Sequence, residues 1–268
     1  MIVFSHGNSF CASTYRRLFD AWRVAWHEVA AVEHFGHDPR YPVDPRWQGM
    51  TRQLTALIDG IADRDLWLVG HSMGGYLSLL AAGQRPGRAR GIVLLDSPLI
   101  HGWISGLVGF AKLSRQMTRV SPAAGALRRR DHWRGLGEAR QHFAAKPLFA
   151  RWHPAVLDDY VHHGTEPLSG GDARRLRFRP EIEASIYATV PHRLLPYLRR
   201  HPPQAPIAFL AGTRSREVRQ VGLAATARVC EGRVGWIEGS HLFPFERPDE
   251  TAAAVLNWIG RLGLRAAA

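Results

Sequence analysis

The chain has 268 residues, of which 46% are hydrophobic and 22% are charged. This size and balance suit a globular enzyme, and no apolar run approaches the roughly 20 residues that span a bilayer, so we expect no stable membrane insertion. The formal net charge is +12, but the basic residues are scattered and all but two of the 35 are arginines. This pattern favours a solvated basic surface over a nucleic-acid site.

Two features bear on where the protein resides. Residues 1–7 contain no basic segment followed by an apolar one, so we expect no secretory signal and a cytoplasmic location. Cys11 and Cys230 are the only cysteines and lie far apart in sequence. Their separation favours two isolated thiols in a reducing compartment over a disulfide framework.

The first part of the chain alternates between strands and helices. The sequence predicts a strand at 2–5, a helix at 15–21 and a strand within 23–32. A helix with one apolar face then begins at Pro45, since proline is well suited to the first helical position. We expect no pair of strands before the strand at 2–5.

Residues 65–76 contain the most informative pattern. A short apolar strand at 66–69 runs into Gly70-His71-Ser72-Met73-Gly74 and then into a compact helical segment. A Gly-x-Ser-x-Gly pattern between a strand and a helix is the nucleophile elbow, a sharp turn that lifts the serine hydroxyl out of the carboxyl end of a sheet. Glycines flank the serine because a Cβ atom there would clash with the neighbouring strand and helix. A further apolar strand at 91–95 ends at Asp96.

The alternation stops between residues 98 and 205. Loops between strands and helices usually have about 2 to 6 residues, so this tract must contain structure of its own. Its apolar periodicity predicts helices separated by proline and glycine, at 103–117, 134–145, 154–163 and 180–190. We interpret 98–205 as a helical lid inserted into a core formed by residues 1–97 and 206–268.

After this insertion the alternation resumes, with strands predicted at 206–211 and 233–237 and helices at 217–230 and from 248. Continuous apolar strands that alternate with helices predict an α/β protein with a mostly parallel, doubly wound sheet. The working residues of such sheets lie at the carboxyl ends of the strands. The polar residues that fall there are Asn8, Ser72, Asp96, Ser215 and His241.

A serine hydroxyl is a poor nucleophile at neutral pH, so it needs a neutral imidazole to take its proton and an acid to orient that imidazole. Three motifs resemble those of the α/β-hydrolase family, in particular its lid-bearing serine esterases: His6-Gly7-Asn8, Gly70-His71-Ser72-Met73-Gly74-Gly75 and Gly239-Ser240-His241. The resemblance covers nearly the whole chain and implies an α/β-hydrolase fold that lacks the first strand pair. It also implies Ser72 as nucleophile, His241 as base and the backbone N–H groups of Asn8 and Met73 as the oxyanion hole.

The acid of this triad has two candidates. Most relatives place an aspartate shortly after the strand at 206–211, in a Gly-x-x-Asp pattern, but this chain has Ser215 at that position. Some similar serine esterases take their acid from the preceding strand of the sequence, where this chain has Asp96. We therefore expect Asp96 to be the acid and keep Glu217 as the alternative. Ser215 would then orient His241 or Asp96 through a hydrogen bond.

Four further residues are predicted to line the substrate site, namely His6, His34, His71 and Trp103. His34 shares a loop with His37 and Asp38, whose side chains are also potential metal ligands, but no further ligand is evident nearby. We interpret this loop as lining the mouth of the site and expect no metal.

These features predict a cofactor-independent serine hydrolase that cleaves a small-molecule carboxylic ester or thioester through an acyl-enzyme. Carbon–carbon bond hydrolysis and acyl transfer are alternatives, because the same triad supports them. A non-catalytic binding module on a hydrolase scaffold is an alternative of a different class, since a fold does not by itself fix a function.

Overall fold

The computed structural model describes residues 1–62, 65–114, 116–117 and 121–265. Six parallel strands form the central sheet, in the order β2-β1-β3-β4-β8-β9. A second, three-stranded antiparallel sheet lies between β4 and β8 in sequence. The strands are β1 (Ile2–Ser5), β2 (Val29–Ala31), β3 (Leu66–His71), β4 (Ala89–Leu95), β5 (His132–Trp133), β6 (Thr165–Pro167), β7 (Arg174–Leu176), β8 (Ile207–Gly212) and β9 (Val234–Ile237).

Helices connect the strands and continue through the segment between β4 and β8. They are α1 (Arg16–Val24), α2 (Gln48–Asp59), α3 (Met73–Gln84), α4 (Gly102–Leu113), α5 (Ala123–Leu127), α6 (Leu136–Ala144), α7 (Pro154–Gly164), α8 (Pro180–Ala188), α9 (Leu194–Arg200), α10 (Arg216–Val221), α11 (Ala224–Val229), α12 (Phe243–Glu246) and α13 (Pro248–Arg265). Short 3₁₀ turns occur at Ala12–Tyr15 and Phe149–Arg151. No helix within the described ranges is long and apolar enough to cross a lipid bilayer.

The strand order reverses at β1. The chain passes from β1 to β2 on one side and then to β3 on the other, so the carboxyl ends of β1 and β3 flank a topological switch point. Such crevices are the usual ligand sites of open parallel sheets, because the flanking loops diverge there and leave room. The fold thus places the loop after Ser5 and the turn at Ser72 beside each other.

The hydrophobic core lies on both faces of the central sheet. Alternate residues of β3 point to opposite faces, with Val69 in one cluster and Leu68 in the other. α1 packs against α13 on the first face and α2 against α3 on the second. α3 is buried from Met73 to Ala82, so it is apolar on nearly all sides rather than amphipathic. Both faces are therefore covered by helices, as in a doubly wound α/β sheet.

The predicted fold class is confirmed, with several shifted boundaries. α2 begins at Gln48 rather than at Pro45, because Trp47 has a left-handed backbone conformation (φ 57°) that a helix cannot pass through. In the turn before it, the Asp44 carboxylate accepts hydrogen bonds from the backbone N–H groups of Arg46, Gln48 and Gly49. The helix predicted at 217–230 is two helices, α10 and α11. They are separated at Gly222, whose φ of 78° is incompatible with a continuous helix.

The segment between β4 and β8 contains strands as well as the expected helices. The four predicted helices correspond to α4, α6, α7 and α8, while α5 and α9 were not predicted. The strands β5, β6 and β7 are only two or three residues long, too short to produce a periodic signal in the sequence. Residue 115 of the first predicted helix and residues 266–268 of the predicted core lie outside the described ranges.

Candidate active site

Ser72 occupies the sharp turn between β3 and α3. Its φ of 53° and ψ of −115° are unusual for a residue with a side chain. Its backbone N–H donates to the carbonyl of Leu95 on β4, at 2.9 Å, and this bond helps to hold the turn. The strained turn raises the hydroxyl above the carboxyl end of the sheet, as an elbow requires.

The two glycines of the pattern are required by packing. An added Cβ at Gly70 would lie 2.4 Å from the carbonyl carbon of Gly74, and one at Gly74 would lie 1.9 Å from the carbonyl oxygen of Ser5. Both distances are far below van der Waals contact. The glycines therefore allow α3 to begin directly against β1 and β3.

His241 lies between Ser72 and Asp96. Its Nε2 is 3.0 Å from Ser72 Oγ, and its Nδ1 is 2.7 Å from Asp96 Oδ2. The three residues come from three separate loops, after β3, β4 and β9. This arrangement leaves Nε2 able to accept the hydroxyl proton while Nδ1–H is held by a carboxylate.

Asp96 is fully buried and well supplied with donors. Its Oδ1 accepts from the N–H of Gly212 at 2.7 Å, and its Oδ2 accepts from the Ser215 hydroxyl at 2.5 Å as well as from His241. Glu217 is farther from His241 Nδ1, at 3.7 Å, and its side chain is 45% exposed. Ser215 thus contacts the buried carboxylate directly, and Asp96 rather than Glu217 makes the hydrogen bond to His241.

The surroundings of His241 change its protonation. Burial alone would lower the pKa of the imidazole, but the hydrogen bond and the negative charge of Asp96, together with the charge of Glu217, outweigh it and raise that pKa. The raised pKa makes His241 a stronger base toward the Ser72 hydroxyl. The negative charge of Asp96 thus stabilises the protonated form of the His241 imidazole.

Two backbone N–H groups that border the cavities at Ser72 have no hydrogen-bond partner among the described residues. Met73 is the first residue of α3, where N–H groups have no partner within the helix. Asn8 follows the His6-Gly7 turn at the end of β1. Neither N–H donates to another group within residues 1–62, 65–114, 116–117 and 121–265. The partial positive charge at the start of the twelve-residue α3 adds to the attraction for an anion.

His71 connects the loops that carry these groups. The Gly7 N–H donates to the Tyr15 hydroxyl at 3.0 Å, which lies 2.6 Å from His71 Nδ1, and His71 Nε2 lies 2.9 Å from the carbonyl oxygen of His241. Because a carbonyl only accepts, Nε2 carries the proton and Tyr15 donates to Nδ1. Burial lowers the pKa of His71 to about 3, so its ring stays neutral. No pattern in the sequence distinguishes Tyr15, which looks like an ordinary residue at the start of a helix.

Two cavities meet at Ser72 and His241. The smaller, about 180 Å³, is bounded mostly by apolar side chains, including Trp47, Tyr76 and Ile186. The larger, about 610 Å³, has many charged side chains in its wall. Both cavities are bordered by Asn8, Ser72, Tyr187, Glu217 and His241. A substrate that reaches Ser72 therefore has room on two chemically different sides.

Comparison with known families supports the fold. A sequence profile of the alpha/beta hydrolase family matches residues 2–254. The chain belongs to this family. No significant match is found among curated protein sequences.

Solved structures share the fold of this hydrolase at low sequence identity. One is E-2-(acetamidomethylene)succinate hydrolase, with 21% identity and a TM-score of 0.73 over 97% of this chain and 91% of that one. The thioesterase domain from the curacin biosynthetic pathway has 19% identity and a TM-score of 0.67 over 95% and 90%. MenH from S. aureus has 19% identity and a TM-score of 0.65 over 97% and 93%.

The four residues predicted to line the substrate site of the hydrolase are not brought together. His71 borders the larger cavity, although both of its ring nitrogens are engaged. His6 is fully buried, and its Nε2 accepts from the N–H of Phe35, so it supports the loop instead of facing a ligand. Burial lowers the pKa of His6 to about 3 and that of His34 to about 4. Neither His34 nor Trp103 borders either cavity, and Trp103 on α4 is 74% exposed.

The potential metal ligands group differently from the pattern in the sequence. His37 accepts a hydrogen bond from the N–H of Arg179, and Asp38 forms an ion pair with Arg40. Neither residue belongs to the cluster of potential metal ligands that contains His34. Within the described parts of the chain, two sets of potential ligands have atoms within 4.8 Å of one another. These sets are Cys11 with Glu33 and His34, and Asp96 with Glu217 and His241.

Proposed function

We propose that this hydrolase cleaves a carboxylic ester or thioester by nucleophilic catalysis, with Ser72, His241 and Asp96 as its triad. The observation that supports the proposal best is the continuous hydrogen-bonded series from the Ser72 hydroxyl through His241 to the buried Asp96. A serine needs both a base within hydrogen-bond reach and a group that orients the base. This series supplies both.

In the proposed mechanism, Ser72 Oγ attacks the carbonyl carbon of the substrate while its proton passes to His241 Nε2. Asp96 remains ionised, holds Nδ1–H and stabilises the imidazolium. The oxyanion that forms accepts hydrogen bonds from the N–H groups of Met73 and Asn8. His241 then protonates the departing alcohol or thiol, which leaves an acyl group on Ser72. A water molecule, deprotonated by His241, releases the acid and restores the serine.

We also propose that residues 98–205 form a lid over the active site. This segment lies between β4 and β8 and is inserted into the core of 1–97 and 206–268. Side chains from this segment, such as Tyr160 and Tyr187, border the cavity above Ser72. A segment in this position would exclude water from the acyl-enzyme and select the substrate.

A fluorophosphonate probe tests the proposal, because such probes form a covalent bond only with an activated serine. We expect labelling of the peptide that contains Ser72, and its loss in Ser72→Ala. The matched control is Ser114→Ala, which removes a hydroxyl that borders neither cavity. Hydrolysis of p-nitrophenyl esters and acyl-CoA thioesters of graded length should fall at least about 10³-fold in Ser72→Ala. Absence of labelling in folded wild-type protein would refute the proposal.

A further inference from the structure

The larger cavity beside Ser72 has a strong excess of positive charge. Its carboxylates are Glu183 and Glu217, and its cations are Arg129, Lys146, Arg151, Arg214, Arg216 and Arg219. Walls of one charge concentrate the electric field in a cleft and attract ligands of the opposite charge. The excess is local to the site, unlike the scattered arginines of the sequence as a whole.

Some of these cations are already neutralised by the protein. Arg129 pairs with Glu183 and also donates to the Tyr160 hydroxyl at 2.8 Å. Arg214 pairs with Glu238 at 2.7 Å, outside the cavity wall. Their carboxylate partners hold these two arginines in place, and each arginine therefore attracts an anionic ligand less strongly than an unpaired cation does.

Arg151 lies 3.7 Å from the Glu246 carboxylate. Arg219 has no carboxylate partner within the described parts of the chain, but it donates to the backbone carbonyl of Arg214 at 3.1 Å. Lys146 and Arg216 have neither kind of partner there. Lys146 Nζ lies 5.4 Å from the centre of the Phe143 ring, a cation–π contact that restricts its position. Burial and the nearby charge of Arg129 lower the pKa of Lys146. An anion in the cavity would offset the effects of burial and of Arg129 on the Lys146 pKa, because it would supply the missing counter-charge.

The smaller cavity offers the opposite environment. At about 180 Å³, it has room for about six water-sized groups at roughly 30 Å³ each, and its wall is mostly apolar. The two cavities meet at Ser72, where the scissile carbonyl would lie. An ester bound there would have one half in an apolar slot and the other half in a cationic chamber.

We propose that the substrate is an ester or thioester with one short apolar half and one half that carries a carboxylate or phosphate, bound by Lys146 and Arg216. This inference rests on the function proposed above and adds the chemical class of the substrate. The anion forms charge-assisted hydrogen bonds with the two cations, and the bond broken lies between the two cavities. Discrimination follows because a neutral group would leave both cations unpaired.

Matched esters that differ only in charge test this assignment. One pair places the anion on the leaving group (4-carboxyphenyl acetate against 4-carbamoylphenyl acetate, with 4-phosphonooxyphenyl acetate as the phosphate form). The other pair places it on the acyl group (monophenyl adipate against its primary amide). In one of the two pairs, we expect kcat/KM to be at least about tenfold higher for the anionic ester than for its neutral partner. The ratio of anionic to neutral kcat/KM should be smaller in 0.5 M salt.

Two variants locate the preference in the cavity. We expect Lys146→Met and Arg216→Gln each to reduce the ratio of anionic to neutral kcat/KM about tenfold. The matched control is Arg52→Gln, an exposed arginine on α2 that borders neither cavity but changes the net charge equally. The inference would be overturned if wild-type protein had equal kcat/KM for anionic and neutral esters. It would also be overturned if Arg52→Gln reduced the ratio of anionic to neutral kcat/KM as much as the two cavity variants do.

Binding separates this inference from the proposed function. Equilibrium binding of the same esters to Ser72→Ala does not require turnover, and the anionic member should bind about tenfold more tightly. If Ser72 labels with the fluorophosphonate and neutral esters are cleaved without any preference for an anion, only the substrate assignment is overturned. If the anionic ester binds preferentially but Ser72 does not label, the catalytic proposal fails and the anion site stands.

Discussion

Replacement of Asp96 by asparagine tests which carboxylate supports His241. Asp96 Oδ2 lies 2.7 Å from His241 Nδ1 and is fully buried, whereas Glu217 Oε2 lies 3.7 Å away on a side chain that is 45% exposed. Asparagine keeps the size of the side chain but loses the negative charge that stabilises the imidazolium. Glu217→Gln makes the same chemical change at the second carboxylate and is therefore the matched control.

The expected magnitudes follow from burial and distance. Opposite charges about 4 Å apart attract by about 4 kcal/mol at an effective dielectric constant of about 20. At 1.36 kcal/mol per factor of ten, this energy corresponds to roughly a thousandfold in rate. We expect Asp96→Asn to lower kcat by about 10³- to 10⁴-fold. Exposed pairs contribute about 0 to 1 kcal/mol, so Glu217→Gln should lower kcat by less than about fivefold.

The assay is steady-state hydrolysis of p-nitrophenyl acetate by both variants, with thermal unfolding as a check on folding. Fluorophosphonate labelling of Ser72 should slow in parallel with kcat, because both reactions need the same base. A loss in Glu217→Gln as large as that in Asp96→Asn would refute the reasoning. So would an Asp96→Asn variant that keeps more than about a tenth of the wild-type kcat.

Two further predictions concern the elbow and the base. Gly74→Ala should destabilise the fold by about 3 kcal/mol or more in urea unfolding, because its Cβ would lie 1.9 Å from a backbone oxygen of β1. Gly137→Ala, in an exposed part of α6 with open space at its Cβ, should instead stabilise by up to about 1 kcal/mol, and equal effects would contradict the packing argument. Because the pKa of His241 is raised and its neutral form is the active base, the acid limb of kcat/KM should lie above the ordinary 6.5. That limb should move to lower pH in Asp96→Asn, since burial then dominates, and an unchanged limb would contradict the cause assigned to the shift.

The elbow and the sheet were readable because their signals are local. The strand–turn–helix at Ser72 depends on neighbouring glycines and a short apolar run, both visible in a dozen residues. The weak strands β5, β6 and β7 were not readable, since they form only by pairing with one another. The break at Gly222 was missed because isolated glycine also occurs within helices.

Local patterns along the chain were enough to predict the fold family and to place Ser72, Asp96 and His241 at the ends of three different strands. Which carboxylate lies against His241 depends on tertiary contacts, because Asp96 and Glu217 differ in distance and burial rather than in local pattern. The same holds for Tyr15, His6 and the cationic cavity, whose members come from distant parts of the chain. Local sequence sets where a strand ends and a helix begins. Which side chains then face one another depends on the packing of the whole sheet and of the segment inserted above it.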